Sequence, residues 1–82
     1  MAVNYEKLIK HLVDPLVIHP EDVMVKKFSE EDDMLTIQVI VNQDDLGRVI
    51  GKNGRIANAI RTIAYASASR EGKKVTINID SF

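Results

Sequence analysis

The sequence contains no cysteine and no tryptophan, and aromatic residues make up only 5% of its 82 residues. Without cysteine the chain can form no disulfide, no thiolate nucleophile and no cysteine-based zinc site. This composition is typical of a reducing compartment, so we expect a cytoplasmic protein. Its stability must then come from packing rather than from cross-links.

Long hydrophobic runs are also missing. The N-terminus carries Asn4, Glu6, Lys7 and Lys10 where a secretion signal requires an apolar stretch, so we expect neither export nor membrane insertion. A chain of this length buries about 60 to 65% of its unfolded surface, which is enough for one modest core but not for a deep substrate chamber as well. We therefore expect a single domain over residues 1–82 that is not an enzyme.

Charge is nearly balanced in total but is unevenly distributed along the chain. The sum of 11 basic and 12 acidic residues is −1. Residues 1–45 hold four basic and ten acidic residues (4 − 10 = −6), residues 46–74 hold seven basic and one acidic (7 − 1 = +6), and Asp80 completes the sum. The second segment could form a positive patch that attracts a polyanion. Ordinary solvated helix faces are the alternative explanation.

The N-terminal third predicts one helix and a loop. Apolar residues recur at three- and four-residue spacing over Tyr5–Ile18, with Asn4 as a suitable N-cap. Pro15 cannot donate a backbone hydrogen bond, so we expect a kink there or a stop followed by a short turn. The segment 19–22 is predicted to be a loop.

Alternating apolar and polar residues predict three strands, over residues 22–28, 34–41 and 74–80. The polar connection 29–33 is short enough to join the first two as an antiparallel hairpin. The second half of the strand 34–41 is apolar on both faces, which indicates a position in the middle of the sheet.

Two further helices are predicted between the second and third strands. A short one spans Leu46–Ile50, with Asp44 or Asp45 as its cap, and a long one begins at Arg55 and ends at Arg70-Glu71-Gly72. The crossover places strands 34–41 and 74–80 parallel and adjacent. The sequence therefore predicts an α+β fold of order α-β-β-α-α-β, in which three helices cover one face of a three-stranded mixed sheet.

The loop Gly51-Lys52-Asn53-Gly54 joins the two helices. Helical spacing on both sides disfavours a hairpin, and the two residues between the glycines do not fit a nucleotide phosphate loop. Glycines allow close approach of another backbone, and the following helix offers unpaired N–H groups to an anion. With Arg48, Lys52 and Arg55 nearby, these features favour contact with a phosphodiester. A plain corner between two helices is the alternative.

The run from Gly47 to Ile56 resembles the core signature of KH domains, and the element order resembles the type II arrangement across nearly the whole chain. The chain is also similar to small stand-alone bacterial KH proteins. The resemblance implies a cytoplasmic protein that binds single-stranded RNA as an RNA chaperone or post-transcriptional regulator. It further implies a larger KH-containing partner and a link to cell elongation and cell wall synthesis.

Carried onto this sequence, the resemblance implies RNA contacts at one run of residues. The glycine loop would hold the RNA backbone, and Val49, Ile50 and Ile56 would form an apolar floor under the bases, unless they pack in the core. The low aromatic content argues against an RRM, which stacks bases on paired aromatic rings. The candidate RNA-binding residues are Arg48, Val49, Ile50, Gly51, Lys52, Asn53, Gly54, Arg55 and Ile56.

The apolar residues of the long helix cover an arc of roughly 200°, more than packing on one sheet requires. They are Ile56, Ala57, Ala59, Ile60, Ile63, Ala64, Ala66 and Ala68. A lone KH module binds weakly, and pairing two modules raises avidity. We therefore expect a homodimer or a heterodimer with another KH protein.

Two other function classes stay open. A DNA-binding helix-turn-helix would use Arg55, Asn58, Arg61 and Thr62 as base readers, and a protein-interaction module or enzyme subunit would bind no nucleic acid. No cofactor or metal is expected, because His11 and His19 lack metal spacing and residues 30–33 lack the pattern of a calcium loop. That acidic segment would repel RNA if it bordered the groove.

Overall fold

The computed structural model describes residues 3–82, which form three α-helices and three strands. The helices are α1 (Tyr5–Val13), α2 (Leu46–Ile50) and α3 (Arg55–Arg70), and the strands are β1 (Met24–Glu31), β2 (Met34–Val41) and β3 (Lys74–Ser81). Their order along the chain is α-β-β-α-α-β, which confirms the predicted sequence of elements.

The three strands form one mixed sheet in the order β1-β2-β3. β1 runs antiparallel to β2, with Met24 opposite Ile40, and β3 runs parallel to β2, with Ile77 opposite Ile37. The central position of β2 and the parallel crossover to β3 are both as predicted. This is the type II KH arrangement, and it leaves the outer edge of β3 without a strand partner in the described chain.

The first helix is shorter than predicted. Asn4 is its N-cap, since the Asn4 side chain accepts a hydrogen bond of 3.0 Å from the Lys7 backbone N–H. The helix ends at Val13 rather than at Ile18, and a single 3₁₀ turn over Asp14–Leu16 follows it. Pro15 lies in that turn, where its fixed φ is accommodated and its missing N–H breaks no α-helical hydrogen bond. Of the two outcomes expected at Pro15, the stop followed by a short turn is confirmed.

The hairpin is longer and its turn tighter than predicted. β1 begins at Met24 instead of Asp22 and continues to Glu31, so that only Asp32 and Asp33 connect it to β2. Asp32 has a φ of 53°, a left-handed conformation that aspartate adopts more readily than most residues. The predicted loop 29–33 was therefore wrong over residues 29–31, which belong to β1. Their side chains are polar, but the backbone of β2 pairs with them and so extends the exposed edge strand. Residues 20–22 form a 3₁₀ turn within the predicted loop.

The core lies between the sheet and the helices. Alternate residues of β2 point into it, and Ile37, Val39 and Val41 are fully buried there. Small residues of α3, Ala64 and Ala68, are also buried, which lets that helix lie close to the strands. The opposite face of the sheet is open to solvent and carries the exposed Phe28, displaced by a bulge between Lys27 and Ser29. Among residues 3–82, no helix has both the length and the apolar character needed to cross a bilayer.

Candidate nucleic-acid interface

The backbone of the Gly51–Gly54 loop turns sharply between α2 and α3. α2 ends where the Gly51 N–H donates to the Gly47 carbonyl at 2.8 Å, and Gly51 then takes φ 76° and ψ 172°. That region of backbone space is accessible almost only to glycine. Asn53 (φ 58°) and Gly54 (φ 75°) are both left-handed, so the Lys52–Gly54 segment departs from helical geometry and forms a tight turn between the two helices.

Gly51 is required by packing as well as by its backbone angles. A Cβ atom built at Gly51 would lie 2.6 Å from Cγ1 of Ile56, far inside van der Waals contact. The Ile56 side chain therefore packs directly on the Gly51 main chain and holds the loop against the first turn of α3. At Gly54 a Cβ would have room, since its nearest neighbour would be Asn58 Nδ2 at 3.8 Å.

The N-terminus of α3 is available to an anion. Gly54 is the N-cap residue, and no side chain in the described part of the chain caps the helix. The first-turn amides of a helix carry partial positive charge and lack partners within the helix, so they suit a phosphate oxygen. Within the turn the Gly54 N–H already donates to the Gly51 carbonyl at 3.1 Å and the Arg55 N–H donates to the Lys52 carbonyl. The donors left for a phosphodiester are therefore the amides that follow in the first turn of α3.

Positive side chains surround this N-terminus. Lys52 and Arg55 are both exposed, and neither forms an ion pair with any residue in the range 3–82. Arg48 is also exposed, but its Nε lies 3.6 Å from the Asp45 carboxylate, which restrains it. Of these three cations, Lys52 and Arg55 are therefore freer than Arg48 to contact a polyanion.

Asp45 plays a structural role that the sequence did not indicate. Its side chain is fully buried and accepts hydrogen bonds of 2.9 Å from the backbone N–H groups of Ile18 and His19. Burial alone would raise the pKa of this carboxyl, but the two backbone hydrogen bonds, together with the His19 and Arg48 charges, outweigh burial and lower the pKa. Asp45 thereby fixes the segment after α1 against the start of α2.

The predicted capping of α2 was wrong in its detail. Asn42 is the residue that caps the preceding 3₁₀ turn, Gln43–Asp45, by accepting a hydrogen bond of 2.8 Å from the Asp44 N–H. Asp45 occupies the N-cap position of α2 but does not cap it with its side chain, because its carboxylate is bonded to Ile18 and His19 instead.

The three candidate floor residues occupy different environments. Val49 is fully buried within the core cluster, so its side chain offers no surface to a base. Ile56 is half-buried and packs on the core as well as on Gly51. Ile50 is half-buried at the last position of α2. Val49 therefore packs in the core, which is the alternative considered for these three residues. Of the three, Ile50 and Ile56 are the ones that can offer apolar surface to a base.

A polar connection links the loop to the free edge of the sheet. Arg61 donates from Nε (3.4 Å) and Nη2 (3.3 Å) to the Ile77 carbonyl of β3, and from Nη1 (3.5 Å) to Asn58 Oδ1. Sequence reasoning considered Asn58 and Arg61 only as readers of duplex DNA. Their spacing in the sequence already places Asn58 and Arg61 on the same side of α3, because they stand three residues apart. They follow Gly54 by about one and two helical turns. What they contact depends on the position of β3.

The acidic turn lies at the other end of the molecule from the glycine loop. The Lys74 N–H donates to the Asp33 carbonyl at 2.8 Å, which places the β1–β2 turn beside the end of α3. α3 has 16 residues and is roughly 24 Å long, so Asp32 and Asp33 are separated from the loop by about that distance. They do not border Gly51–Gly54. A shallow pocket of about 510 Å³ at the same end is lined by Tyr65, Lys73 and Lys74 among others.

One group of potential metal ligands lies outside this region. Single ligand atoms of His19, Glu21 and Asp22 lie within 4.8 Å of one another. These side chains are exposed or half-buried, and His19 is also near Asp44, with 3.9 Å between Nε2 and Oδ2. His11 is exposed on α1.

Comparison with known proteins decides the family. Residues 6–79 match the family model described as KhpA/KhpB, KH domain. The chain belongs to this KH-domain family. It is 51% identical over 74 residues to the RNA-binding protein KhpA of Listeria monocytogenes, a match that covers 90% of this chain and 96% of the relative. It is 45% identical over 76 residues to KhpA of Bacillus subtilis, with 93% of each chain covered. The family is not one of enzymes, in agreement with the sequence-based prediction.

Solved structures show the same fold in a larger protein. Era of Aquifex aeolicus, bound to GDP and aluminium fluoride, superimposes with a TM-score of 0.63 at 19% identity. The match covers 95% of this chain but only 30% of Era. A second Era structure, in complex with MgGDPNP and a segment of 16S ribosomal RNA, gives a TM-score of 0.61 over 94% of this chain. At this level of identity the likeness concerns the fold alone.

Proposed function

We propose that this chain is an RNA-binding protein that holds single-stranded RNA at the Gly51–Gly54 loop. The observation that carries the proposal is the uncapped N-terminus of α3, which follows two glycines with positive φ and is flanked by the exposed Lys52 and Arg55. The names of the KhpA relatives support it, since each is called an RNA-binding protein. The Era complex with ribosomal RNA supports it at the level of fold.

The proposed contacts divide between phosphate and base. The main chain of Gly51 to Gly54 approaches the phosphates, and Lys52 and Arg55 supply charge that releases counterions from the RNA. Arg48 contributes less, because the nearby Asp45 carboxylate partly neutralises the positive charge of its guanidinium group. Ile50 and Ile56 provide apolar surface for the bases, whereas Val49 supports the loop from within the core.

Single-stranded RNA fits this surface better than a duplex. KH domains clamp about four backbone nucleotides, whereas duplex RNA is recognised across successive grooves by larger surfaces. The acidic turn at Asp32 and Asp33, at the far end of α3, repels phosphates and limits the bound strand to the length of that helix. Of the basic residues in the range 46–74, Arg48, Lys52 and Arg55 stand at the loop end of α3 and attract the strand there, whereas Arg70, Lys73 and Lys74 stand at the far end beside the acidic turn.

We further propose that the chain works as a pair of KH modules. Ala59, Ile63 and Ala66 are exposed and share one stripe of α3, since they stand four and three residues apart. Ile63 leaves 45% of its surface exposed. A second KH module, either another copy or a larger KhpB-like protein, would cover this stripe and raise avidity for RNA.

At the cellular level we propose a single-domain cytoplasmic RNA chaperone or post-transcriptional regulator. Its link to cell elongation and cell wall homeostasis rests on the family resemblance alone. A small module that binds weakly and with few base contacts suits such a role, because a chaperone must release its RNA.

RNA crosslinking in cells tests the binding site. We compare the wild type with the double variant Lys52→Asp/Asn53→Asp, and we expect the variant to lose its crosslinks while it keeps its melting temperature, because both changes lie on an exposed loop. A matched control is Lys26→Asp, at an exposed position of β1. Undiminished crosslinking of the loop variant would contradict the proposal.

Duplex binding is the competing outcome. A helix-turn-helix protein prefers duplex DNA to single-stranded RNA at matched salt, and it inserts its second helix into the major groove. In this chain the Arg61 side chain bonds to the edge of β3, so that part of α3 faces the sheet. We therefore expect weaker binding to a DNA duplex than to single-stranded RNA of the same length.

A further inference from the structure

Arg61 is held in an unusual position beside the free edge of the sheet. The side chain is half-buried, and Nε and Nη2 both point to the Ile77 carbonyl on the outer edge of β3. An edge carbonyl of this kind would otherwise face water. Nη1 reaches Asn58 Oδ1, so Arg61 is anchored on the sheet and on its own helix at the same time.

The anchoring leaves part of the guanidinium group unused. An arginine side chain has five N–H donors and no acceptor. Three contacts are formed, one to Asn58 and two to Ile77, which leaves two donors without a partner among residues 3–82 (5 − 3 = 2). Because the fork of donors is rigid and already oriented, a ligand that accepts from it loses little side-chain entropy on binding.

The location of Arg61 relative to the phosphate loop fits a base rather than a phosphate. Asn58 borders Gly54, as its Nδ2 lies 3.8 Å from the position of a Cβ there, and Arg61 follows one turn later. From Gly54 to Arg61 the helix rises by roughly 10 Å. A strand whose backbone is held at the loop can therefore direct a base along α3 toward the β3 edge.

We propose that Arg61 is a specificity-determining residue that selects guanine at this point of the bound strand, an inference that rests on the proposed RNA binding. Guanine presents two neighbouring acceptors, O6 and N7, to which arginine donates in a bidentate contact. Adenine presents N7 beside an amino group, and the two carbonyl oxygens of uracil flank an N–H group. Cytosine does present two neighbouring acceptors, N3 and O2, so the loss of affinity on removing N7 of guanine is the result that distinguishes guanine from cytosine. Asn58 and the Ile77 carbonyl position the guanidinium and need not touch the base.

Binding of short oligouridylates that carry one substituted nucleotide tests the assignment with the full chain. The substituted base, placed in turn at each position, is guanine, adenine, cytosine or the deaza analogue of guanine in which C–H replaces N7. We expect the best guanine-containing oligonucleotide to bind at least roughly fivefold more tightly than its adenine and deazaguanine counterparts. Arg61→Met removes every N–H donor of the side chain and should reduce this ratio to near one.

The possible results separate this inference from the proposed function. If Lys52→Asp/Asn53→Asp abolishes binding to every oligonucleotide but guanine gives no advantage, RNA binding stands and the role of Arg61 is refuted. Equal affinity for guanine and deazaguanine, a preference for cytosine, or an unchanged ratio in Arg61→Met would also overturn it. If the wild type binds none of the oligonucleotides, both proposals fail.

Discussion

The buried carboxylate of Asp45 accepts a hydrogen bond of 2.9 Å from the backbone N–H of Ile18, 27 residues earlier in the chain. A second bond of 2.9 Å from the His19 N–H completes the contact. Asp45 immediately precedes α2, so this pair of bonds fixes the start of the short helix that carries Gly51 at its end. The position of the candidate phosphate loop thus depends on a side chain outside it.

Replacing Asp45 with asparagine should destabilise the fold. The amide keeps the size of the side chain but offers one oxygen, so at least one of the Ile18 and His19 N–H groups loses its buried acceptor. We expect the melting temperature to fall by on the order of 10 °C in thermal denaturation followed by circular dichroism. The control Asp44→Asn, on an exposed neighbour, should change it little; equal losses in the two variants would contradict the role assigned to Asp45.

Stability should also decline in acid because of the same carboxyl. The pKa of Asp45 is lowered in the folded protein, so the unfolded chain takes up the proton first as the pH falls. The stabilisation is complete above the ordinary pKa of about 4 and is lost as the pH falls toward the folded value. The pKa of Glu71 is lowered in the same direction, chiefly by the Val3 N–H that donates to it. Urea denaturation at a series of pH values from 7 down into the acid range measures the free energy of unfolding. As the pH falls, this free energy should decrease more for the wild type than for Asp45→Asn. An equal decrease in the two proteins would refute the prediction.

Alanine at Gly51 and at Gly47 should have opposite effects. At Gly51 the added methyl group meets Ile56 at 2.6 Å and the backbone has a φ of 76°, so we expect a loss of about 2 kcal/mol or more. At Gly47, inside α2, an added Cβ would meet no atom within 4 Å in the described chain apart from its sequence neighbours and the backbone of its own helix, and alanine favours the helix by about 0.5 to 1 kcal/mol. Urea unfolding measures both, and a neutral Gly51→Ala would show that the loop is not constrained as described.

Salt dependence of RNA binding should identify the phosphate contacts. Each phosphate neutralised on a single strand contributes about −0.7 to the slope of log K against log salt. Lys52→Ala and Arg55→Ala should each make the slope shallower by up to about that amount, with weaker binding to all sequences alike. Lys26→Ala, at an exposed position of β1, serves as the control, and a slope unchanged in all three variants would place the RNA elsewhere.

The exposed stripe on α3 should mediate self-association or pairing. Sedimentation velocity at tens of micromolar should show a dimer for the wild type in the absence of another KH protein, or a complex when a KhpB-like protein is added. Ile63→Asp places a charge where Ile63 is 45% exposed and should abolish this association without unfolding the chain. A wild type that stays monomeric in both conditions would contradict the proposed pairing.

Local sequence patterns predicted most of the fold because each rests on short-range physics. The alternation in β2 and the helical spacing in α3 each mark a single buried face, and the structure places both elements within a residue of the predicted bounds. The end of α1 was misplaced because apolar spacing continues past Pro15 to Ile18, while the backbone there forms a 3₁₀ turn. The extent of β1 was misplaced because its last residues are polar and become ordered only through pairing with β2.

The loop between α2 and α3 was predictable for the same local reason. Its glycines interrupt two helical patterns, and basic residues stand beside them in the sequence. Which of Val49, Ile50 and Ile56 reaches the surface was not predictable, because burial depends on how α2 is oriented over the sheet. Val49 faces the core, and only the three-dimensional arrangement assigns it there.

The sequence by itself determined the order of the elements, the KH signature and the charged glycine loop, since each is encoded in the spacing of neighbouring residues. Only the tertiary structure brought Asp45 to the Ile18 N–H and Arg61 to the Ile77 carbonyl. These contacts join residues 27 and 16 positions apart, and no local pattern specifies them. Buried polar partners are chosen by the packing of whole elements, which places unpaired backbone groups next to distant side chains.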